Sequence, residues 1–517
     1  MADEAHIHRL PDELLLQIAG YFRGTTTSAM LSCLYNLRLV SKRFLPVAQD
    51  ELYAGAYLPV TCGCHPCVNA AVQLLRTLLS RPDLAAKVKV LRFVACNKSI
   101  TKLYRDKGYN LKPIRDLCLQ KLALLGCTSK DNVWRVCLHN DVESAYAGVL
   151  LTLLPNLETL RFSLKEAMNG YPCHEPLTAM FGNALIATRA LASLKKTIKN
   201  LGLSDIAFLR EVGFTNVKSL DLTSVDLNTL VRLQGPKTIK SGRFLEDLTI
   251  TMSIYSMETD LPNHFGLKLG NLFEAFACNN LKSLHVKLHS DDKASTVVES
   301  FYTGDLFRCI GKISTKLLRL EIDCEVDDDV VECEWFLRHC HFPIRSFERF
   351  PLLKHLKIPQ QFLFPTDDEA ADTAIEFEDL PPTLERLDIL YPDSSITEWV
   401  VRYVDADIPL SLHTIALQCR DEIMSPPSSF YSQGIWAGLE KNYGINCLII
   451  EDMDAKEEKL VDKQRNYTKP SKLTKDVKIS NVSDVDMDMD TDEDEDEDDY
   501  DSENMMSGQD LLVAEMD

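Results

Sequence analysis

Nowhere in its 517 residues does this chain approach the roughly 18 uninterrupted apolar residues of a membrane span. Residues 1–8 are polar and acidic, with no basic region leading into an apolar run, so no secretory signal is expected. Lys and Arg number 56 against 77 Asp and Glu. A nucleic-acid binder needs the opposite surplus to neutralise phosphates. Catalytic fingerprints are missing too: no Gly-x-Ser-x-Gly, no phosphate loop, no dinucleotide fingerprint and no zinc-protease motif. The expectation is a protein that is not an enzyme and uses no cofactor, no metal, no membrane and no nucleic acid. The 16 cysteines are scattered through apolar stretches, as at Cys118, Cys137 and Cys324. Without an export signal they read as reduced, buried thiols, which points to the cytoplasm, the nucleus or both.

What is present is an ordinary globular mixture, 45% hydrophobic and 26% charged, in a chain too long for one ordinary compact domain. Several domains or a solenoid follow. The net charge of -21 is concentrated at one end. Asp484 to Asp517 holds about 17 acidic residues and no Lys or Arg, leaving about -4 for the rest.

Residues 9–22 carry the signals of a helix. Pro11 suits the first helical position, and Asp12 and Glu13 place negative charge at the positive end of the dipole. Gly20 and Gly24, with three threonines, mark the exit. At 100° per residue Leu10, Leu14, Leu15, Ile18, Ala19, Tyr21 and Phe22 span an arc of about 180°, with Leu16 beyond it. That exceeds the stripe of ~100° that one burial partner requires, so two partners are expected. Two further helices are predicted. Residues 28–37 carry Met30, Leu31, Leu34 and Leu37. Residues 41–52 start at Ser41 as N-cap and carry Phe44, Leu45, Val47, Ala48 and Leu52, with Pro46 early in the helix. A module of roughly 50 residues has a marginal core, and docking its surplus apolar surface on a partner would stabilise it.

Leu10-Pro-Asp-Glu-Leu-Leu-Leu-Gln-Ile18, then Leu37-Arg-Leu-Val-Ser-Lys-Arg-Phe44, then Asp50-Glu-Leu-Tyr53, resembles the F-box motif over about a tenth of the chain. Phe44 stands where many members have Trp. The resemblance implies a three-helix, all-α F-box that binds the Skp adaptor of SCF-type ubiquitin ligases, and a cullin through it. The implied contacts are Leu10, Pro11, Leu14, Leu15, Ile18, Leu37, Val40, Ser41 and Phe44. The alternative is that these residues form the core of a plain helical hairpin.

From about residue 88 a short pattern recurs: apolar, two others, Leu or similar, one other, apolar. The copies start at Val88, Leu157, Val217, Leu245, Leu281, Leu317, Leu353, Leu384, Leu412 and Ile445. From Val217 on they are spaced roughly 28 to 36 residues apart, the regime of repeat arrays. The last two apolar positions have period two and face one side of a short strand; the first anchors the chain. Stacked copies would give a parallel sheet with a continuous core behind it. Amphipathic segments such as 267–279 and 305–313 fall between them. The pattern resembles leucine-rich repeats. The Asn or Cys expected in the turn is replaced by Lys165, Val225, His289, Glu325, Gln361, Pro392 and Arg420, and the stretch from Phe93 to Leu157 holds no clean copy. An irregular solenoid is therefore expected, whose extended surface selects a target protein. An unrelated α/β domain with several leucine-rich strands is the alternative.

The expected organisation is α/β overall: an F-box at 1–58, an irregular leucine-rich-repeat solenoid at 59–452, and a disordered tail at 453–517, acidic from 484. Cys62-Gly-Cys-His-Pro-Cys67 holds four metal-binding side chains in six residues but lacks a second, spaced pair, so it reads as a turn. The runs 327–329 and 367–369 read as solvated loops that could steer a basic target. The tail lacks the apolar residues for a core; it reads as a spacer, a docking tail for basic proteins or a cover for a basic patch. The function expected is substrate recognition for an SCF ligase, with the chemistry in other subunits. The alternative is a scaffold that binds the Skp adaptor in a non-degradative complex.

Overall fold

The structure is a computed structural model. It describes residues 10–21, 33–58, 70–165, 176–203, 214–223, 244–253, 263–289, 301–325, 340–364, 375, 379–406, 411–419, 430, 435–450 and 458–459, with gaps of one or two residues inside some segments. All of these lie in one compact unit, Met1–Thr468. The Cys62–Cys67 cluster, both acidic runs and the tail from 484 lie outside the described residues.

The architecture is mixed α/β. Twelve parallel strands follow one another across a single sheet in chain order: β1 (Gly55–Tyr57), β2 (Val90–Cys96), β3 (Thr159–Lys165), β4 (Asn200–Leu203), β5 (Ser219–Leu222), β6 (Asp247–Ser253), β7 (Ser283–His289), β9 (Arg319–Glu325), β11 (His355–Pro359), β12 (Arg386–Leu390), β13 (Thr414–Gln418) and β14 (Asn446–Ile450). A small separate sheet pairs β8 (Phe301–Tyr302) with β10 (Cys340–His341). Parallel neighbours need long crossovers, and helices occupy many of them. A purely parallel sheet normally hides both faces and reads as continuous apolar sequence. Here β2, β5 and β7 alternate buried and less buried positions, so only one face is covered along that part of the sheet, whereas β9, β12 and β13 are buried on both faces, at Glu321, Asp323, Asp388 and Ala416.

Register makes the core continuous. Leu91, Leu160, Leu201, Leu220, Leu248, Leu284, Leu320, Leu356, Leu387 and Ile415 are direct partners along the sheet, all buried. Each strand thus completes the core of the one before it.

Three features differ from the sequence reading. Ile198-x-x-Leu201-x-Leu203 is a further copy, on β4, and all three residues are buried. The last copy is shifted by one. β14 pairs Ile415 with Cys447 and Leu417 with Ile449, so Cys447 and Ile449 are buried while Leu448 and Ile450 turn to the opposite face. A one-residue slip exchanges the faces of a strand, and the run Leu448-Ile-Ile450 offers either choice. Finally, the chain after residue 452 adds β15 (Glu458–Lys459), antiparallel to β14, on what would otherwise be an open edge.

The stretch between Phe93 and Leu157 is helical: Thr101–Asp106, Lys112–Leu124, Val133–His139 and Glu143–Thr152. Asp141 ties this insertion together. It is buried at φ 51, and its carboxylate accepts from Tyr146 Oη at 2.7 Å, Thr101 Oγ1 at 2.9 Å and Arg115 Nη1 at 3.2 Å. Asp tolerates this left-handed backbone better than most residues. Buried Trp134, Trp399 and Trp436 each donate their indole N–H to a backbone carbonyl, at 2.9, 2.8 and 3.0 Å.

Candidate partner-binding surfaces

The first surface is the helical head. Helix Asp12–Gly20 packs on helix Phe44–Ala54, and short helical turns at 33–40 lie between them in sequence. The later helix starts at Phe44 with Arg43 as N-cap, not at Ser41, which lies outside the described residues. Pro46 falls in its first turn, where a missing N–H costs nothing. The same helix runs directly into β1, which pairs with β2, so the head is joined to the sheet without a linker. Lys87 pairs with Asp50 across this junction.

The head has its own core: Leu15, Ala19, Leu34, Phe44 and Val47, with Leu10, Leu37 and Leu52 packed against it. Of the expected contacts, Leu15 and Phe44 are only 2% and 1% exposed, and they serve the head's interior. Leu14 at 42%, Ile18 at 38% and Val40 at 63% face solvent. Pro11 is exposed, and Leu10 and Leu37 are half-buried. Leu16, Tyr21, Leu39 and Leu45 are exposed as well. Seven of the thirteen large apolar side chains exposed among the described residues therefore fall in this head of some 35 residues. The surplus arc of the first helix was the sequence signal for Leu16 and Tyr21; Leu39 and Leu45 carried no such signal. Arg43 donates to the Leu10 carbonyl and holds the start of the first helix against the last.

The second surface is the side of the sheet opposite the apolar core row, half-buried along β5 and β7 and buried at Glu321, Asp323 and Asp388. Its central row, in register, is Arg92, Arg161, Gly202, Asp221, Thr249, His285, Glu321, Lys357 and Asp388. Arg161 lies across Gly202, where a Cβ would come within 2.7 Å of it, and reaches Asp221 at 3.6 Å. Further along, Lys357 Nζ meets Asp323 at 3.0 Å, and Asp388 accepts from Arg386 Nε at 2.8 Å and bonds His355 Nε2 at 2.6 Å. Arg319 pairs with Glu321, which lies 3.6 Å from His285 Nδ1. Burial pushes His285 below its ordinary pKa, and Glu321 only partly opposes this. The carboxylates in this region are thus matched by cations, and among the described residues no group of three or more His, Cys, Asp or Glu could hold a metal ion. In the turn after β11, the Gln360 amide donates to Ser395 Oγ at 2.8 Å and accepts from the Asp393 N–H at 2.9 Å.

Burial raises the thiols of Cys118, Cys278 and Cys447 to about 12, so they stay protonated and unreactive. Among the described residues no helix is long and apolar enough to cross a membrane. No protein-family model matches the chain, and no curated protein matches it.

Proposed function

We propose that this chain is the substrate-recognition subunit of an SCF-type ubiquitin ligase. The head acts as an F-box that binds the Skp adaptor and through it a cullin, and the repeat body, an irregular leucine-rich-repeat solenoid, holds the target. The observation that carries the reading is the number of exposed apolar side chains, Leu14, Ile18, Leu39, Val40 and Leu45 among them, on a head whose own core has five buried residues. Such a surplus is stabilised by a protein partner. The F-box-like sequence at 10–53 supplies the partner's identity. The single-file order of parallel strands, most of them carrying the apolar-x-x-Leu-x-apolar pattern in register, supports the repeat reading. In this role the chain performs no chemistry and acts by proximity.

Affinity purification of the full chain tests this. Recovery of both the Skp adaptor and a cullin supports the ligase role. The adaptor without a cullin would favour a non-degradative scaffold, and recovery of neither defeats the F-box assignment.

A further inference from the structure

The edge where the strands begin carries a further, independent surface. The Glu158 carbonyl accepts the N–H groups of Lys199 and Asn200, at 2.8 and 3.1 Å. The Lys199 carbonyl does the same for Lys218 and Ser219, that of Lys218 for Glu246 and Asp247, and that of Glu246 for Lys282 and Ser283. This repeated clamp sets Lys199, Lys218, Glu246 and Lys282 side by side at the ~4.8 Å separation of neighbouring strands. With Lys196, Asn216, Phe244, Asn280 and Lys316 they line an open cavity of 530 Å³.

The lining holds five lysines and one carboxylate, Glu246, and a second carboxylate, Glu158, pairs with Lys199 from just outside it at 2.9 Å. Glu246 is shared between Lys282 at 2.8 Å and Lys218 at 3.7 Å, and the Lys282 bond holds its carboxyl below the ordinary value. Lys316 donates to Asn280 at 2.7 Å. Phe244 is 56% exposed among them and gives the groove one large apolar surface.

We propose that this groove binds an acidic segment of a partner protein: an extended stretch of about six residues with several carboxylates and one apolar side chain against Phe244. The length follows from four strand spacings between β4 and β9, roughly 19 Å, divided by about 3.3 Å per extended residue. A nucleic acid fits less well. The lining has no arginine fork, a single aromatic ring and a glutamate at its centre, and the body as a whole has no positive surplus. Incoming carboxylates would exchange with exposed Lys–Glu pairs, which are individually weak. The inference does not rest on the helical head.

The test is fluorescence anisotropy of the full chain with a labelled peptide of about ten residues, Glu and Asp with one central Leu, at about 50 and 200 mM NaCl. Binding that weakens with salt is expected. Lys196→Glu, Lys218→Glu and Lys316→Glu together should weaken it at least tenfold. The same three lysines changed to Arg should retain it, and Phe244→Ala should lose several-fold. A Leu14→Asp, Ile18→Asp head variant should bind the peptide like the parent, which separates this site from the adaptor reading. The proposal is overturned if the parent does not bind at about 100 μM, if the charge-reversed variant binds equally, or if a ten-nucleotide single-stranded DNA competes better than unlabelled peptide.

Discussion

Leu14 and Leu15 are adjacent, yet their replacement should have opposite consequences. Full burial of a Leu or Ile side chain is worth about 1.5–3 kcal/mol. Leu14 and Ile18 still expose 42% and 38%, so covering what remains contributes about 0.6–1.2 kcal/mol each. Leu14→Ala with Ile18→Ala should weaken adaptor binding about 8- to 60-fold. Aspartate at both positions adds unpaired charges in a dry interface, costing several kcal/mol more, and should weaken binding about 1,000-fold or beyond. Neither pair should cost more than about 1 kcal/mol of folding stability, because neither residue belongs to the core. Leu15→Ala should instead cost about 2–5 kcal/mol through transfer and cavity terms and lower binding only by unfolding the head. Calorimetric titration with purified Skp adaptor, alongside thermal melts followed by circular dichroism, separates the two effects. Full-strength binding by the double-aspartate variant would refute the argument, as would a well-folded Leu15→Ala protein that no longer binds.

Other consequences concern the body. A Cβ at Gly148 would sit 2.1 Å from the carbonyl oxygen of Met180, in helix Pro176–Phe181, so Gly148→Ala should destabilise by about 3 kcal/mol, read as a lowered denaturation midpoint; an unchanged midpoint would mean that this helix and helix Glu143–Thr152 are not in contact. The register of β14 predicts that Ile449→Ala costs about 2–5 kcal/mol while Leu448→Ala costs under about 1; the reverse order in chemical denaturation would restore the alternative register. For His285 the folded pKa is lowered from 6.5 by burial, against the attraction of Glu321 and Asp323 and with the repulsion of Lys287 and Lys357. The unfolded chain then takes up the proton first, so this residue's contribution is full above about pH 6.5 and is lost as pH falls below it. His285→Gln should therefore lose less stability than the parent between pH 7.5 and 5.5; equal losses would remove His285 as a source.

The head shows how far pattern alone reaches. An apolar arc of about 180° requires two burial partners, and the structure leaves part of that arc uncovered. Which leucines serve which partner was not readable. Leu14 and Leu15 lie on the same arc, and only the packing of Leu15 with Leu34, Phe44 and Val47 buries it while Leu14 stays exposed. Likewise Ile198-x-x-Leu201-x-Leu203 escaped notice because its strand is short and contains Gly202, a residue that weakens strand patterns. Gly202 is there because Arg161 needs the space.

The sequence by itself determined the periodicity: two apolar residues on one side of most short strands, preceded by an anchor, repeated until a parallel sheet is the arrangement that buries them. That information is local and lies in side-chain chemistry. The tertiary structure alone decided the face shown by Leu448 and Ile449, the helical filling between Phe93 and Leu157, and the gathering of five lysines from β4 to β9 into one groove. The face of β14 and the groove depend on register between strands whose partners lie 19 to 36 residues apart in the chain, and register is set by the sum of contacts along the whole sheet, which no single segment contains.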